Sequence, residues 1–154
     1  MSRRRKPQVG DVLQFSLPNG SFAYGRVLND SAVAFYSARS SQAGQPPIGD
    51  TNFEFTVVVY SDVLRSDAAP VVGFDPRPFN DDDWPPPGAI TDALSGAKRI
   101  YDHGQVRPAH GEEWVGLEPV AVWDLNHVID RLMGKGDRWL RSIERAGPPQ
   151  GRHS

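Results

Sequence analysis

The sequence predicts an α+β fold: a curved, mostly antiparallel sheet or partly open small barrel from the first two thirds of the chain, closed by C-terminal helices. Three observations predict it. Apolar alternation of period two, broken by tight turns, runs from Gly10 to Tyr36, and the strong strand 53–60 follows a loop. Fifteen glycines and 14 prolines in 154 residues leave little room for long helices. Apolar spacing of helical period sets in after Asp124. A hydrophobic content of 38%, with 10% aromatic and 23% charged residues, is globular in character. The length suits one domain with its own core, expected over residues 8–146 with flexible ends at 1–7 and 147–154.

The elements follow in order. In the run 12–17, Leu13, Phe15 and Leu17 share one face and Gln14 and Ser16 the other, the pattern of a half-buried strand. Pro18-Asn19-Gly20-Ser21 supplies the turn of a hairpin. The return strand, 22–28, carries Gly25 in its middle, which predicts a bulge or a close backbone crossing. Asn29-Asp30-Ser31 turns the chain into a third strand, 32–36, and the Ser, Gly, Gln and Pro-rich stretch 37–52 reads as a loop. The strand 53–60 is the strongest in the sequence, and Val57, Val58 and Val59 predict a central strand covered on both faces at its end. Residues 61–65 fit one helical turn capped by Ser61 or Asp62, and 71–74 another short strand.

Five prolines and four aspartates between Asp75 and Gly88 predict an irregular, extended crossing of the surface, because Pro85-Pro86-Pro87 supplies no amide donors. Residues 98–101 and 105–107 flank Asp102-His103-Gly104, a hairpin signal. Asp124 is the expected N-cap of a helix over 125–133, with Leu125, Val128, Ile129 and Leu132 on one face and Gly134 as the stop. Asp137 is expected to cap a second helix, 138–146, burying Trp139, Leu140 and Ile143.

Zero cysteines exclude disulfides, thiolate metal sites and a cysteine nucleophile, and four histidines remain for metal or proton chemistry. The G-x-S-x-G, H-E-x-x-H, G-x-x-x-x-G-K-[ST] and G-x-G-x-x-G patterns are absent. Gly134-Lys135-Gly136 has the look of a phosphate-loop fragment, but it follows a helix and reads as helix termination. Asp81-Asp82-Asp83 lacks the spacing of a calcium loop and reads as an exposed acidic loop. His103 and His110, with Glu112 and Glu113 beside the second, are the nearest thing to a metal or acid/base constellation. No cofactor, metal or catalytic residue is assigned. No run approaches the roughly 18 apolar residues of a membrane span, and the basic start runs into Gln8-Val9-Gly10-Asp11 without an apolar signal segment, so a cytoplasmic protein is expected.

The net charge of −2 conceals an asymmetry. Residues 1–6 hold four basic side chains, and 135–154 hold five basic against two acidic; the stretch between them holds eight basic and seventeen acidic side chains, a balance of −9. Such a body is unsuited to phosphate backbones, so nucleic acid is not expected to bind the fold, and only the basic ends carry charge for it. A basic protein partner suits the field better. Trp84 beside three prolines reads either as a lid packed over the barrel or as an aromatic anchor for a partner; Trp114 and Trp123 are expected in the core. Glu118 lies in an apolar run, 117–123, where its carboxylate needs donors, and it is placed to tie the helix to the hairpins.

Together, Val9-Gly10-Asp11-Val12, the run from Leu17-Pro18-Asn19-Gly20 through Tyr24-Gly25-Arg26-Val27-Leu28, and Ala34-Phe35-Tyr36 resemble the immunity protein 26 family of bacterial polymorphic toxin systems. The strand 53–60, Pro85 to Pro87, and Gly116-Leu117-Glu118 running to Val122-Trp123 and Arg131-Leu132 agree, so that the resemblance spans about residues 8–133. It implies a non-enzymatic antidote that binds and neutralises a cognate toxin protein, with no catalytic motif to transfer.

Two readings follow. In the first, an acidic, aromatic-bearing surface made of Asp81, Asp82, Asp83, Trp84, Glu112 and Glu113 covers the toxin's active or substrate-binding surface. In the alternative, a small barrel-like enzyme or ligand-binding module uses a pocket of Tyr24, Arg26 and Glu118, with His103 or His110 assisting. A third, RNA binding through the basic ends, predicts steep salt dependence.

Overall fold

The computed structural model describes residues 6–135; the expected helix over 138–146 and the tail lie outside the described residues. In chain order the elements are β1 (Asp11–Ser16), β2 (Phe22–Val27), β3 (Ala32–Ser40), β4 (Phe53–Val59), α1 (Ser61–Leu64), β5 (Val71–Phe74), β6 (Gly88–Thr91), β7 (Lys98–Asp102), β8 (Gln105–Pro108), β9 (Glu118–Pro119), β10 (Val122–Trp123) and α2 (Leu125–Leu132). They form a six-stranded sheet, ordered β10-β4-β3-β2-β1-β5, and a four-stranded sheet, ordered β8-β7-β6-β9. All pairings are antiparallel except β10 with β4 and β6 with β9. The sheets are curved and do not close into a barrel, which is the α+β arrangement expected from the alternation and the terminal helix.

The local chemistry explains the first sheet. Gly20, at φ 87°, closes the β1–β2 hairpin, with its amide donating to the Leu17 carbonyl at 3.0 Å. Gly25 stands at the predicted irregularity: the β2–β3 register shifts between Ala23 and Gly25, and a Cβ at Gly25 would fall inside van der Waals contact of Val33. Phe15, Phe35 and Phe55, from three strands, stack in the core with centroids 5.2 and 4.8 Å apart. The apolar face of α2 covers that core through Val128 and Leu132, and the Asp124 carboxylate caps it by accepting from the His127 amide at 2.8 Å.

Several expectations are corrected. β1 is not half-buried: Val12 packs with Tyr24 and Tyr36 on the second face, and Gln14 is buried there too. β3 runs four residues beyond Tyr36, to Ser40, because the bulges let its second half pair with Phe22 and Ala23. α1 has Tyr60 as N-cap and no side-chain capping bond. β6 begins at Gly88, where the proline run ends and amide donors return. Trp123 is in the core as expected, but Trp114 is only half-buried and lies under the Lys98 ammonium, 4.4 Å from its ring centroid.

Candidate partner-binding surface

The three adjacent aspartates diverge. Asp81 is exposed, and among the described residues it makes no ion pair. Asp82 points to the β7–β8 turn, 2.6 Å from His103 Nε2. Asp83, at φ 59°, turns inward, accepting from the Phe79 amide at 2.8 Å and standing 3.4 Å from the Arg26 guanidinium. The β2–β3 turn holds the same loop, because Asn29 donates to the carbonyls of Asp82 and Asp83 at 2.9 and 2.8 Å. A loop rich in like charge would splay in isolation; here it is pinned by Asn29 of the β2–β3 turn and His103 of the β7–β8 turn.

His103 completes the latch. Its Nδ1 lies 2.6 Å from Asp102 and its ring stacks on Trp84, with centroids 5.0 Å apart and planes 23° from parallel. Hydrogen bonds to Asp102 and Asp82 raise its pKa, and the reciprocal bond to His103 lowers that of Asp82. With both ring nitrogens engaged, His103 has no free lone pair for proton abstraction. Trp84 is therefore half-buried against the hairpin, with its amide donating to Asp82 at 3.2 Å.

The second predicted patch sits at the other end of the β7–β8 hairpin, a strand length or roughly 15 Å away. Glu113 forms a fork with Arg107, at 2.7 and 3.0 Å, and accepts from the His110 amide; Arg107 first and that amide second hold its carboxyl down at about 2. Glu112 is exposed. The structure thus brings Asp82 and Trp84 together with His103, turns Asp83 to Arg26, leaves Asp81 exposed, and keeps Glu112 and Glu113 apart from them.

The alternative trio is separated. Tyr24 is fully buried and its hydroxyl lies 2.7 Å from Ser40 Oγ. Arg26 and Glu118 both line a cavity of about 530 Å³, but they do not pair. Glu118 accepts a bidentate bond from Arg131 at 2.9 and 2.5 Å, tying α2 to β9 as its apolar setting requires, while Arg131 lies over Phe55, 4.1 Å from the ring centroid. Arg26 is 3% exposed; its Nη2 donates to the Arg77 carbonyl at 3.0 Å, and its Nε has no hydrogen-bond partner.

Sequence reasoning missed most of that cavity. Asp75 is 2% exposed and accepts from the Tyr36 hydroxyl at 2.5 Å and from the Gly49 and Arg77 amides at 3.0 Å each. Burial alone would raise its pKa; the Tyr36 hydroxyl, the two amides and the Arg26 charge more than offset that, and it lies below its ordinary value. Burial and the Asp75 bond push the Tyr36 hydroxyl far up. Tyr36 and Gly49 lie 39 and 26 positions away in the chain, so no local spacing announces them.

Comparison with known proteins adds one finding. A family model described as immunity protein 26 matches residues 8–100, more than half of the chain. The match holds β1 to β6, Tyr24, Arg26 and the loop from Asp81 to Trp84, and stops short of Glu112, Glu113, Glu118 and α2, so it is narrower than the 8–133 span of the resemblance. No curated protein matches, and no solved structure does.

Proposed function

The chain belongs to the immunity protein 26 family, and from that premise we propose that it binds a cognate bacterial toxin and neutralises it by covering the toxin's active or substrate-binding surface. The proposal places the event in the cytoplasm and involves no bond-making step. The observation that carries it is the pinned acidic loop: Asp81 and the edge of Trp84 are offered to solvent on a segment that His103, Asn29 and Arg26 already hold in place. A preordered loop loses little conformational entropy on association, and a Trp with a carboxylate beside it combines buried area with charge. The −9 balance of the body steers a basic partner.

Co-expression with the toxin encoded beside this protein's gene tests it. Cells survive with the wild-type chain; a triple variant, Asp81→Lys, Trp84→Ala and Glu112→Lys, lowers affinity by about 10²-fold or more and loses protection while keeping its fold by circular dichroism. Death in the presence of the well-expressed wild-type protein contradicts the proposal.

A small-ligand site at Arg26 is the second reading, favoured by the partnerless Nε beside a cavity of about 530 Å³. It predicts thermal stabilisation by a small carboxylic acid, abolished in Arg26→Gln.

A further inference from the structure

We propose that the partner contributes an extended segment bearing basic side chains, which adds as a strand to the open half of the outer edge of β4. The inference rests on the toxin-binding reading above and names what enters beside it.

The edge is open because one strand is missing. On its outer side β4 is paired by β10 only at Val58 and Val59. Just upstream the chain leaves this sheet, since β9 pairs with Gly88 and Ala89 of β6 in the other sheet. Among the described residues no strand therefore pairs with the outer side of residues 53–57. Register fixes which groups are left facing the gap. The Val59 amide donates to the Ser31 carbonyl at 3.0 Å, making that a hydrogen-bonded pair. The two-residue alternation makes Val57 with Val33 and Phe55 with Phe35 pairs of the same kind. Thr56, opposite Ala34, is then a non-hydrogen-bonded position whose N–H and C=O point outward. The Tyr60 amide obeys the same alternation, reaching the Trp123 carbonyl on the outer side at 3.1 Å. Glu54 is the extra residue of a bulge between Phe55 and Phe53, a device that re-aims a strand at a site.

The gap has room and charge. The 530 Å³ cavity lies along this edge, with Glu54 and Thr56 on one wall and Leu117 and Glu118 on the other, and exposed Thr51 at its mouth. Strand addition supplies main-chain hydrogen bonds for affinity, and alternate side chains fill the flanking pockets. Four carboxylates, of Asp50, Glu54, Asp75 and Glu118, line the space against two guanidiniums, of Arg26 and Arg77. Glu54 pairs with Arg39 and Glu118 with Arg131, whereas Asp50 makes no ion pair among the described residues. Arg77 likewise makes no ion pair among the described residues, and Arg39 and Arg131 offset Glu54 and Glu118, so the preference for a basic strand rests on the −9 balance of the body between its basic ends.

The test uses the full chain and a catalytically inactivated product of the adjoining toxin gene, with amide hydrogen exchange resolved by residue. Exchange at the Thr56 amide is expected to slow at least tenfold in the complex, and Asp50→Lys, which also removes the acceptor of the Asn52 amide and is checked for its fold by circular dichroism, to weaken association at least tenfold. A stable complex with unchanged Thr56 exchange overturns strand addition and leaves toxin binding standing. Protection at Thr56 with undiminished binding by Asp50→Lys overturns the basic character of the segment. Absence of any complex overturns the toxin-binding reading, and this proposal with it.

Discussion

A methyl group added at Gly25 would collide with Val33 Cγ1 and press on the Phe35 ring, which belongs to the central aromatic stack. Gly25→Ala is accordingly expected to cost about 1–3 kcal/mol of stability, measured by urea unfolding; an unchanged midpoint would mean that the bulge relaxes freely. The glycine was legible in the sequence because a strand of alternating apolar residues has no other use for it. Tyr36 and Asp75 were not legible, because their pairing joins positions 39 residues apart. Removing the hydroxyl in Tyr36→Phe leaves a buried carboxylate with one donor fewer and should cost about 1–3 kcal/mol near neutral pH. The sign of its pH dependence follows from the lowered pKa of Asp75. The contribution is complete above the unfolded value of about 3.9 and is lost as pH falls through the folded one. Wild type and Tyr36→Phe should therefore converge in stability on acidification, and divergence would contradict the assigned donor.

Among the elements, the acidic loop and the β7–β8 hairpin form a latch with two titrating sides. The raised pKa of His103 means that its part is fully present below about 6.5 and is lost as pH rises through its folded value. The lowered pKa of Asp82 means that its part is lost as pH falls through that lower value. The latch is thus closed in a window between the two. An NMR titration of the His103 imidazole should give a midpoint above 6.5, and Asp82→Asn should move it down; an unmoved midpoint would show that Asp82 does not hold the ring. At the other edge, Glu118→Gln removes one side of the bidentate bond to Arg131 and should lower stability by about 1–3 kcal/mol. Arg131→Lys should not restore it, since the lysine lacks both the fork and the planar face that lies on Phe55. The α2 helix, the two hairpins and the role of Glu118 were readable because periodicity, turn residues and a carboxylate in an apolar run are local signals. β6 was hidden by its four-residue length behind the prolines, and β9 and β10 by their two residues each.

At the scale of the molecule, the sequence predicts a curved, mostly antiparallel sheet or partly open barrel closed by helices, and the chain divides that curved structure into two sheets, with the strand run 118–123 passing from one to the other. That division depends on parallel pairings between distant segments, which no short window of sequence contains. It is also what leaves the outer edge of β4 open and sets the acidic loop against the second sheet. Charge was readable in full: the −9 balance between the basic ends is a property of composition. It predicts that the rate of association with the toxin falls by at least tenfold between 20 and about 500 mM salt, whereas the dissociation rate, set by buried groups, changes far less. A salt-independent association rate would remove electrostatic steering from the account.

Neutralisation by occupation of a surface is tested by a titration of the purified toxin's activity with this protein. The prediction is a linear fall to zero activity at one equivalent, with the immunity protein recovered from the complex chemically unchanged. Loss of toxin activity at a small fraction of an equivalent would reveal a catalytic antidote, and full activity at excess would reveal none at all; either result excludes stoichiometric neutralisation.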